Sequence, residues 1–545
     1  MLKKILFKKL KDKAKKTNEN RSGNGNQHEN TGAAQPAKKQ PVSKNYDDNL
    51  RVLRQAFIRC ADIQFHEFLI GTDSPTRAFI IYASTVTDYE TINQHVLGAI
   101  LSDSQELQSL VKNHKENIVQ IVLKRLMTIA DTQTISYLDE IENQIFAGKA
   151  VLLIEGSSSA LAAGVRGGEN RSIIESDTEP GVRGPKDGFI ESIDVNMSLM
   201  RRRLKTSKLK FEMLEAGRLT HTKLAVCYIE GVSNDPLLQE VRQRLGRIDT
   251  DSILEGNYIE ELIMDERYSL FPLIQYTERP DKAAASLLEG RIVILIDNTP
   301  MQLIVPATFV TMLQAAEDYY HNAIFATLTR ILRFISLNMA LLLPAVTVAA
   351  FSFHQELLPP QLVSSVAGSR QGLPLPISLE ILLIEFVFEV LREAGVRLPK
   401  TIGQAISTVG GLVIGQAAVN AGLVSPISVI VVATTAIASF TIPNYDAGYS
   451  LRLLRFLLIF LASFLGGIGI MFGLMGILIH LCSLRSFGVP YLSPFAPLSM
   501  QDFRDILLRV PWWAMYAQPK AYRTVTSKKS KNQGPVKPKK GGRNS

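Results

Sequence analysis

Residues 401–445 read TIGQAISTVGGLVIGQAAVNAGLVSPISVIVVATTAIASFTIPNY, a stretch without Asp, Glu, Lys, Arg or His. A helix that crosses a bilayer needs about 20 apolar residues. The stretch therefore has room for two spans, which we predict at 402–421 and 426–443. A Gly and a Ser-Pro pair lie between Asn420 and Pro426 and indicate the turn that joins the two spans.

Two further charge-free runs flank this stretch, at 334–353 and at 456–479. Each run alone would also fit a buried helix of a soluble protein. Uninterrupted apolar runs in core helices, however, seldom exceed about 10–14 residues. Four long runs close together in the sequence therefore predict an integral membrane protein.

A fifth apolar segment, 377–394, carries three carboxylates and reads as an amphipathic helix. On a helix, Glu385 and Glu389 lie about 40° apart, and Glu380 lies roughly opposite. Carboxylates inside a membrane are costly unless they face water or a partner. The helix could lie at the interface, line an ion path or be buried among its neighbours, and Arg392 could neutralise Glu389.

Charge is segregated along the 545 residues. Residues 1–45 carry 12 Lys/Arg and 3 Asp/Glu, and 519–545 carry 9 Lys/Arg and no acid. With a total of +9, the tails hold +18 and residues 46–518 hold −9. The body therefore lacks the basic surface of a nucleic-acid-binding domain. Residues 1–16 fit either a basic amphipathic helix on anionic lipid or a disordered tail.

Topology follows from the same charges, because Lys and Arg are retained on the cytoplasmic side. Two cytoplasmic tails require an even number of crossings, and four spans satisfy this if 377–394 does not cross. The three cysteines show no CxxC spacing and the histidines form no HExxH motif. We therefore expect no metal, no cofactor and no enzymatic activity.

Three landmarks recur in order in the soluble part. IQFHEF at Ile63 matches LKFEML at Leu209, and TRAFIIYA at Thr76 matches TKLAVCYI at Thr222. GKAVLLIEG at 148–156 matches GRIVILIDN at 290–298. This order predicts two similar α/β subdomains, at 46–165 and 205–312, ahead of an α-helical polytopic membrane domain.

A Gly/Pro-rich linker, 166–204, joins the subdomains and contains the most distinctive local sequence, TEPGVRGPKDGFIE at 178–191. It lacks the GxxxxGK[ST] spacing of a P-loop. Phosphate binding by Arg201, Arg202 and Arg203 is less favoured than a solvated or subunit-facing basic strip. The remaining predicted segments are basic tails at 1–45 and 519–545, a juxtamembrane helix at 313–333, the membrane domain at 334–482 and a C-terminal amphipathic segment at 483–518.

Several of these strings resemble the A-subunit family of spore germination receptors (the GerA/GerKA type). The resemblance covers about 46–516, and its motifs are EPGVRGPKDGF, ERPDK at 278–282, EDYY at 317–320, LPKTIG at 398–403 and IPNY at 442–445. In the linker it singles out Glu179, Pro180, Arg183, Gly184, Pro185, Gly188, Phe189 and the three arginines 201–203.

The resemblance implies a sensor in the spore inner membrane that works with a polytopic B-type subunit and a C-type lipoprotein. It also implies homo-oligomers that conduct the released cations. Glu385, Glu389 and Arg392 are then candidate residues of the ion path. A stand-alone relative of the SpoVAF type, a secondary transporter and a membrane-anchored enzyme are the alternatives.

Small residues recur in the predicted spans at a spacing that permits close helix packing. They could pack within one protomer or between protomers. They are Gly403, Ser407, Gly411, Gly415, Gly469 and Gly473.

Overall fold

The structure of the protein, a computed structural model, describes residues 40–71, 75–101, 122, 131–167, 175–176, 178–179, 181–398, 413–499, 502–515, 518–522 and 524. Most of both predicted tails and the first part of the predicted span 402–421 lie outside the described residues. So do Pro180, Gly403, Ser407 and Gly411.

The first subdomain is a five-stranded antiparallel sheet in the order β1-β2-β4-β5-β3. Helices α1 (Tyr46–Ala56) and α2 (Leu138–Phe146) pack on one face, and short helical pieces at 89–101 pack on the other. Because both faces are covered, residues 78–83 of β2 are all buried. The strands are β1 (Ile63–Ile70), β2 (Thr76–Ala83), β3 (Thr132–Ile135), β4 (Lys149–Ile154) and β5 (Ala160–Gly164).

The second subdomain repeats this arrangement, with the strand order β6-β7-β9-β10-β8. Gly148 and Gly290 shortly precede the matching strands β4 and β9, with φ of 84° and 86°, a region that favours glycine. The chain thus has two similar sheet subdomains, and all of their described strand pairs are antiparallel. The strands are β6 (Leu209–Ala216), β7 (Thr222–Ile229), β8 (Gln275–Thr277), β9 (Ile292–Ile296) and β10 (Gln302–Val305).

Four helices cover the second sheet. Apolar side chains of α3 and α6 pack on one face, and those of α4 and α5 pack on the other. Because α3 is also the end of the linker, the linker is built into the second subdomain. The helices are α3 (Ile193–Arg203), α4 (Asp235–Leu245), α5 (Gly256–Ile263) and α6 (Pro280–Leu288).

The C-terminal part is helical, and one core joins α8, α10, α11 and α12 to the underside of the second subdomain. The predicted juxtamembrane helix 313–333 and span 334–353 are wrong as separate elements, because α8 runs unbroken through both from its cap at Asn322. Residues 413–420 are also helical. The helices are α7 (Phe309–Leu313), α8 (Ala323–Ser352), α9 (Pro360–Ser369), α10 (Ile377–Arg397), α11 (Pro426–Ser439) and α12 (Tyr445–Ser483).

Helix α12 reverses direction at Gly466, where φ is 59° and ψ is −136°. A Cβ built on Gly473 would lie 2.4 Å from the side chain of Leu458, although 15 residues of straight helix span about 22 Å. Ser450 and His480 both contact the loop at 270–271. The predicted single span 456–479 is therefore wrong: the run folds as a hairpin of two antiparallel helices.

By length and composition, α8 and α12 are apolar enough to cross a membrane, and α11 is a shorter apolar helix. The chain after α12 returns to the second subdomain. It forms short strands at Arg485–Ser486 and Val489–Pro490, then 3₁₀ turns at Asp502–Asp505, Trp512–Ala514 and Lys520–Tyr522.

Candidate functional site

Three sequence motifs that are far apart in the chain meet at the junction between the second subdomain and α8. They are the linker loop 179–188, residues 278–282 at the start of α6, and residues 317–320 just before α8. We call this group the signature cluster.

Arg279 and Asp281 form the centre of the signature cluster. The Arg279 guanidinium donates to both Asp281 oxygens at 3.0 and 2.8 Å, and only 7% of each side chain is exposed. The Tyr320 hydroxyl donates to Asp281 at 2.5 Å. Burial alone would raise the pKa of Asp281, but the hydrogen bonds from Arg279 and Tyr320 lower it below its ordinary value. Asp281 is therefore ionised and holds both partners.

The linker loop is fastened to this centre through its backbone. Arg279 donates to the carbonyl oxygens of Glu179 and Pro185 at 3.2 and 3.3 Å. Gly184, at φ 125°, lies so close to the Tyr320 ring that a Cβ would be 2.7 Å from it. Only glycine fits at this position, which explains the residue in physical terms.

Other contacts complete the attachment of the loop. Glu179 accepts from the Thr277 hydroxyl at 2.5 Å and from the Lys282 ammonium, and the Val182 amide donates to Glu317. Gly188 and Phe189 are buried, and Phe189 belongs to the core of the second subdomain. The side chains of Val182 and Arg183 are exposed. The loop is thus held by hydrogen bonds on one side, while the side chains at its tip are exposed.

The three linker arginines separate into different environments. Arg201 is fully buried, makes two 2.8 Å hydrogen bonds to Asp62 of the first subdomain, and lies over the rings of Phe146 and Phe211. Arg203 pairs with Asp187, and Arg202 is exposed. The predicted solvated strip is therefore wrong for Arg201, which joins the two subdomains and is not available to a phosphate.

Helix α8 is fixed by a second charged group, which is centred on Asp318 of the signature cluster. Asp318 accepts from Arg330 and Arg333 at 3.0 Å each, and Arg330 also binds Asp505 of the returning C-terminal segment. The side chains of Asp318, Arg330 and Arg333 are each less than a tenth exposed. Arg330 and Arg333 therefore anchor α8 to the signature cluster.

Glu385 and Glu389 of α10 face two arginines of α12. Glu385 is fully buried at 2.8 Å from Arg455, and Glu389 lies 3.1 Å from Arg452 and 3.2 Å from Arg455. We call these four residues the membrane charge cluster. Arg392 instead lies over the rings of Phe440 and Tyr445, so the expected Arg392–Glu389 pair is replaced by pairs with α12.

The sequence pattern indicates a charge at Glu380 but no role for it. It is fully buried and accepts from Arg370, from the backbone and hydroxyl of Ser425 and from the Ser428 hydroxyl. It joins the start of α10 to the start of α11. No local pattern could have revealed this, because Ser425 lies 45 residues away in the chain.

Gly415, Gly469 and Gly473 of the predicted small-residue pattern each have a close neighbour within the chain. A Cβ at Gly469 would meet the Leu461 carbonyl oxygen at 2.2 Å, which places this glycine in the α12 hairpin. A Cβ at Gly415 would lie in ordinary contact with Val429. Within the described ranges, no group of three or more His, Cys, Asp and Glu side chains is arranged to hold a metal ion.

Comparison with known proteins finds relatives over most of the chain. The family model described as "Bacillus/Clostridium GerA spore germination protein" matches residues 51–521. Spore germination protein KA of Bacillus subtilis is 42% identical over 489 residues, covering 89% of each chain. The B. subtilis membrane protein YfkQ is 43% identical, covering 88% of this chain and 92% of YfkQ.

Among solved structures, the N-terminal domain of the A subunit of the Bacillus megaterium spore germinant receptor GerK3 matches with 31% identity and a TM-score of 0.40. The match covers 50% of this chain and 98% of that domain. The family model spans most of the described chain, and the relatives are similar over nearly their whole length. The resemblance seen in the sequence is confirmed: the chain belongs to the GerA family of spore germination proteins.

Proposed function

We propose that the protein is the A subunit of a nutrient germinant receptor in the spore inner membrane, and that it works with B-type and C-type subunits. Its membership of the GerA family supports this function. The observation that carries the proposal is the signature cluster, in which the linker loop, the start of α6 and the segment before α8 are fastened together.

The signature cluster provides a short route from the soluble subdomains to the membrane helices. The linker loop binds Glu317 and Arg279. Asp318, which follows Glu317 in the chain, binds Arg330 and Arg333 of α8. Movement of the loop would therefore strain groups that fix the base of α8. We propose that this route transmits the signal of a bound germinant.

The helices suggest how the chain crosses the bilayer. Glu380, at the start of α10, accepts hydrogen bonds from Ser425 and Ser428. Glu389, further along the same helix, forms ion pairs with Arg452 and Arg455 of α12. We propose that α10 crosses alongside α8, α11, the two halves of α12 and the span beginning near 402. Six crossings keep both basic tails on the cytoplasmic side, as four would.

We further propose that oligomers of the chain form an ion path beside α10 and that the membrane charge cluster controls it. Both Glu385 oxygens are buried and have no hydrogen-bond donor among the described residues, despite the ion contact with Arg455. This leaves capacity for a water or a cation. The competing role is structural, since a buried ion pair also holds α10 against α12.

Glu385→Gln and Glu389→Gln distinguish the two roles, because Gln keeps the shape and removes the charge. Glu393→Gln is the matched control on the same helix, since Glu393 is 56% exposed and pairs with Arg397. Control of the path predicts altered cation release at a normal protein level in spore membranes. Loss of the protein from the membrane indicates the structural role, and release like that of the parent refutes the path assignment.

The receptor assignment is tested by isolating the tagged full-length protein from spore inner membranes. A polytopic B-type subunit and a lipoprotein should copurify with it, and deleting either should abolish germinant-triggered cation release. Isolation alone, with cation release that needs neither partner, would identify a stand-alone relative of the SpoVAF type instead.

A further inference from the structure

Apolar side chains become exposed as soon as α8 begins. Ile324, Phe325 and Leu328 are 78%, 68% and 64% exposed, although they lie in the first two turns of the helix. Side chains of this type cover lipid-facing surfaces, and on a soluble surface such a patch would be a liability. The first turns of α8 therefore mark the level at which the proposed membrane surface begins.

The two tryptophans lie at this level. The Arg509 amide donates to the Thr327 hydroxyl of α8 at 3.1 Å, and Trp512 donates to the Tyr319 carbonyl oxygen at 3.3 Å. These bonds hold the segment that carries Trp512 and Trp513 beside the first turns of α8. The tryptophans are nevertheless 56% and 49% exposed.

The linker loop also reaches the segment just before α8. Gly184 lies against the ring of Tyr320, three residues before α8 begins. Val182 is 93% exposed, and Arg183 and Lys186 of the same loop are also exposed, with Lys186 in an ion pair with Glu175. The tip thus combines one apolar side chain with two cations on a rigid support.

We propose that the loop tip 182–186 and Trp512–Trp513 insert into the headgroup layer of an anionic bilayer. We call these residues the headgroup collar. Trp is enriched at the boundary between lipid and water, and cations near an exposed apolar residue favour anionic lipid. Lipid is the occupant because the collar continues directly from the exposed apolar face of α8. The inference rests on the proposed membrane placement of that helix.

Through the headgroup collar, lipid can act on the signature cluster in addition to the germinant signal. The same loop that fastens to Arg279 and Tyr320 contacts lipid through its tip, so lipid composition acts on the route to α8. Arg183→Gln removes one tip charge and Lys186→Gln removes the other, together with its ion pair to Glu175 at 3.2 Å. Neither side chain makes the hydrogen bonds that hold the loop to Arg279.

The chain has only two tryptophans, so its fluorescence reports the collar directly. The full-length protein is reconstituted in vesicles of phosphatidylcholine and phosphatidylglycerol brominated either near the glycerol end or near the methyl end of the acyl chains. We expect the shallow bromines to quench roughly twofold more strongly, because Trp lies at the interface. Equal or weaker quenching by shallow bromines, or no quenching, overturns the tryptophan half of the collar.

The loop is tested in a Trp512→Phe, Trp513→Phe background with Val182→Trp as the single reporter. Ile58→Trp, at a 57% exposed position on the first subdomain, is the control. Shallow bromines should quench the reporter at 182 and not the one at 58, and quenching should fall in vesicles without phosphatidylglycerol. A reporter at 182 that responds neither to bromine depth nor to the loss of phosphatidylglycerol refutes the contact between the loop and lipid. The same result is expected if another copy of the chain covers the loop.

Alkaline extraction of the same vesicles separates the two proposals. Protein that stays with the lipid while its collar reporters are unquenched would contradict the collar and leave the membrane placement intact. Protein that is released into the supernatant would contradict both.

Discussion

Substituting Asp281 with Asn removes the negative charge at the centre of the signature cluster while preserving the shape of the side chain. Asp281 and Arg279 are each 7% exposed, and Tyr320 donates to the same carboxylate. Removing one partner of such a buried pair costs about 3–5 kcal/mol, because the other charge stays buried and uncompensated. Because both Asp281 oxygens accept from Arg279, the amide nitrogen of the variant would face an Arg279 donor in either orientation.

This cost can be expressed as a population. A loss of about 3 kcal/mol raises the detached form of the loop roughly 100-fold, at about 1.4 kcal/mol per factor of ten. The matched control is Asp47→Asn, since the Asp47–Arg77 pair is half exposed. An exposed pair contributes about 0–1 kcal/mol. We therefore expect proteolysis within 179–188 to accelerate strongly in Asp281→Asn and to be unchanged in Asp47→Asn.

The assay is limited proteolysis of the full-length protein together with denaturant unfolding. The pKa of Asp281 is lowered in the folded protein, so its stabilisation is complete above the unfolded pKa and is lost as pH falls through the folded one. Asp281→Asn should remove that acid-dependent component. A variant that unfolds within about 1 kcal/mol of the parent, with unchanged cleavage of the loop, would refute the assigned role of Asp281.

Three other predictions follow from single contacts. Arg201→Gln should destabilise the paired subdomains by about 3–5 kcal/mol in thermal or denaturant unfolding, whereas the exposed Arg202→Gln should cost less than about 0.5 kcal/mol. Gly466→Ala should lower the yield of folded protein in detergent, because its Cβ would lie 2.9 Å from Phe353; Gly476→Ala, where a Cβ meets nothing within 4 Å, should not. Burial, with a contribution from the Asp446 carboxylate, raises the pKa of Glu260 from 4.5 to about 8. Stability should therefore fall as pH rises through that interval, and Glu260→Gln should flatten the dependence of stability on pH.

The two sheets were predictable because their signals are local. The strands begin at the repeated landmarks Ile63, Thr76, Leu209 and Thr222, and β-branched runs followed by turn residues are a strong strand signal. The motifs at 179–188, 278–282 and 317–320 were likewise visible one by one. Their meeting was not, because nothing in the local sequence specifies which distant segments will pack together.

The helical part shows what local patterns cannot supply. An apolar run of 24 residues has the composition of a straight span, and only the backbone at Gly466 turns it into a hairpin. Three consecutive arginines read as a basic surface strip, yet Arg201 is fully buried because Asp62 and two rings enclose it. In both cases tertiary packing overrides the average property of the segment.

The central claim is that the linker loop couples the soluble subdomains to α8 through the signature cluster. It is tested most directly by tethering Val182→Cys to Glu317→Cys with a short, reducible thiol cross-linker, with the exposed Cys482 changed to Ser. We predict that spores carrying the tethered receptor do not release cations in response to germinant, and that reduction of the cross-link restores release to the level of the same double variant before cross-linking. Normal cation release from the tethered receptor would contradict the account.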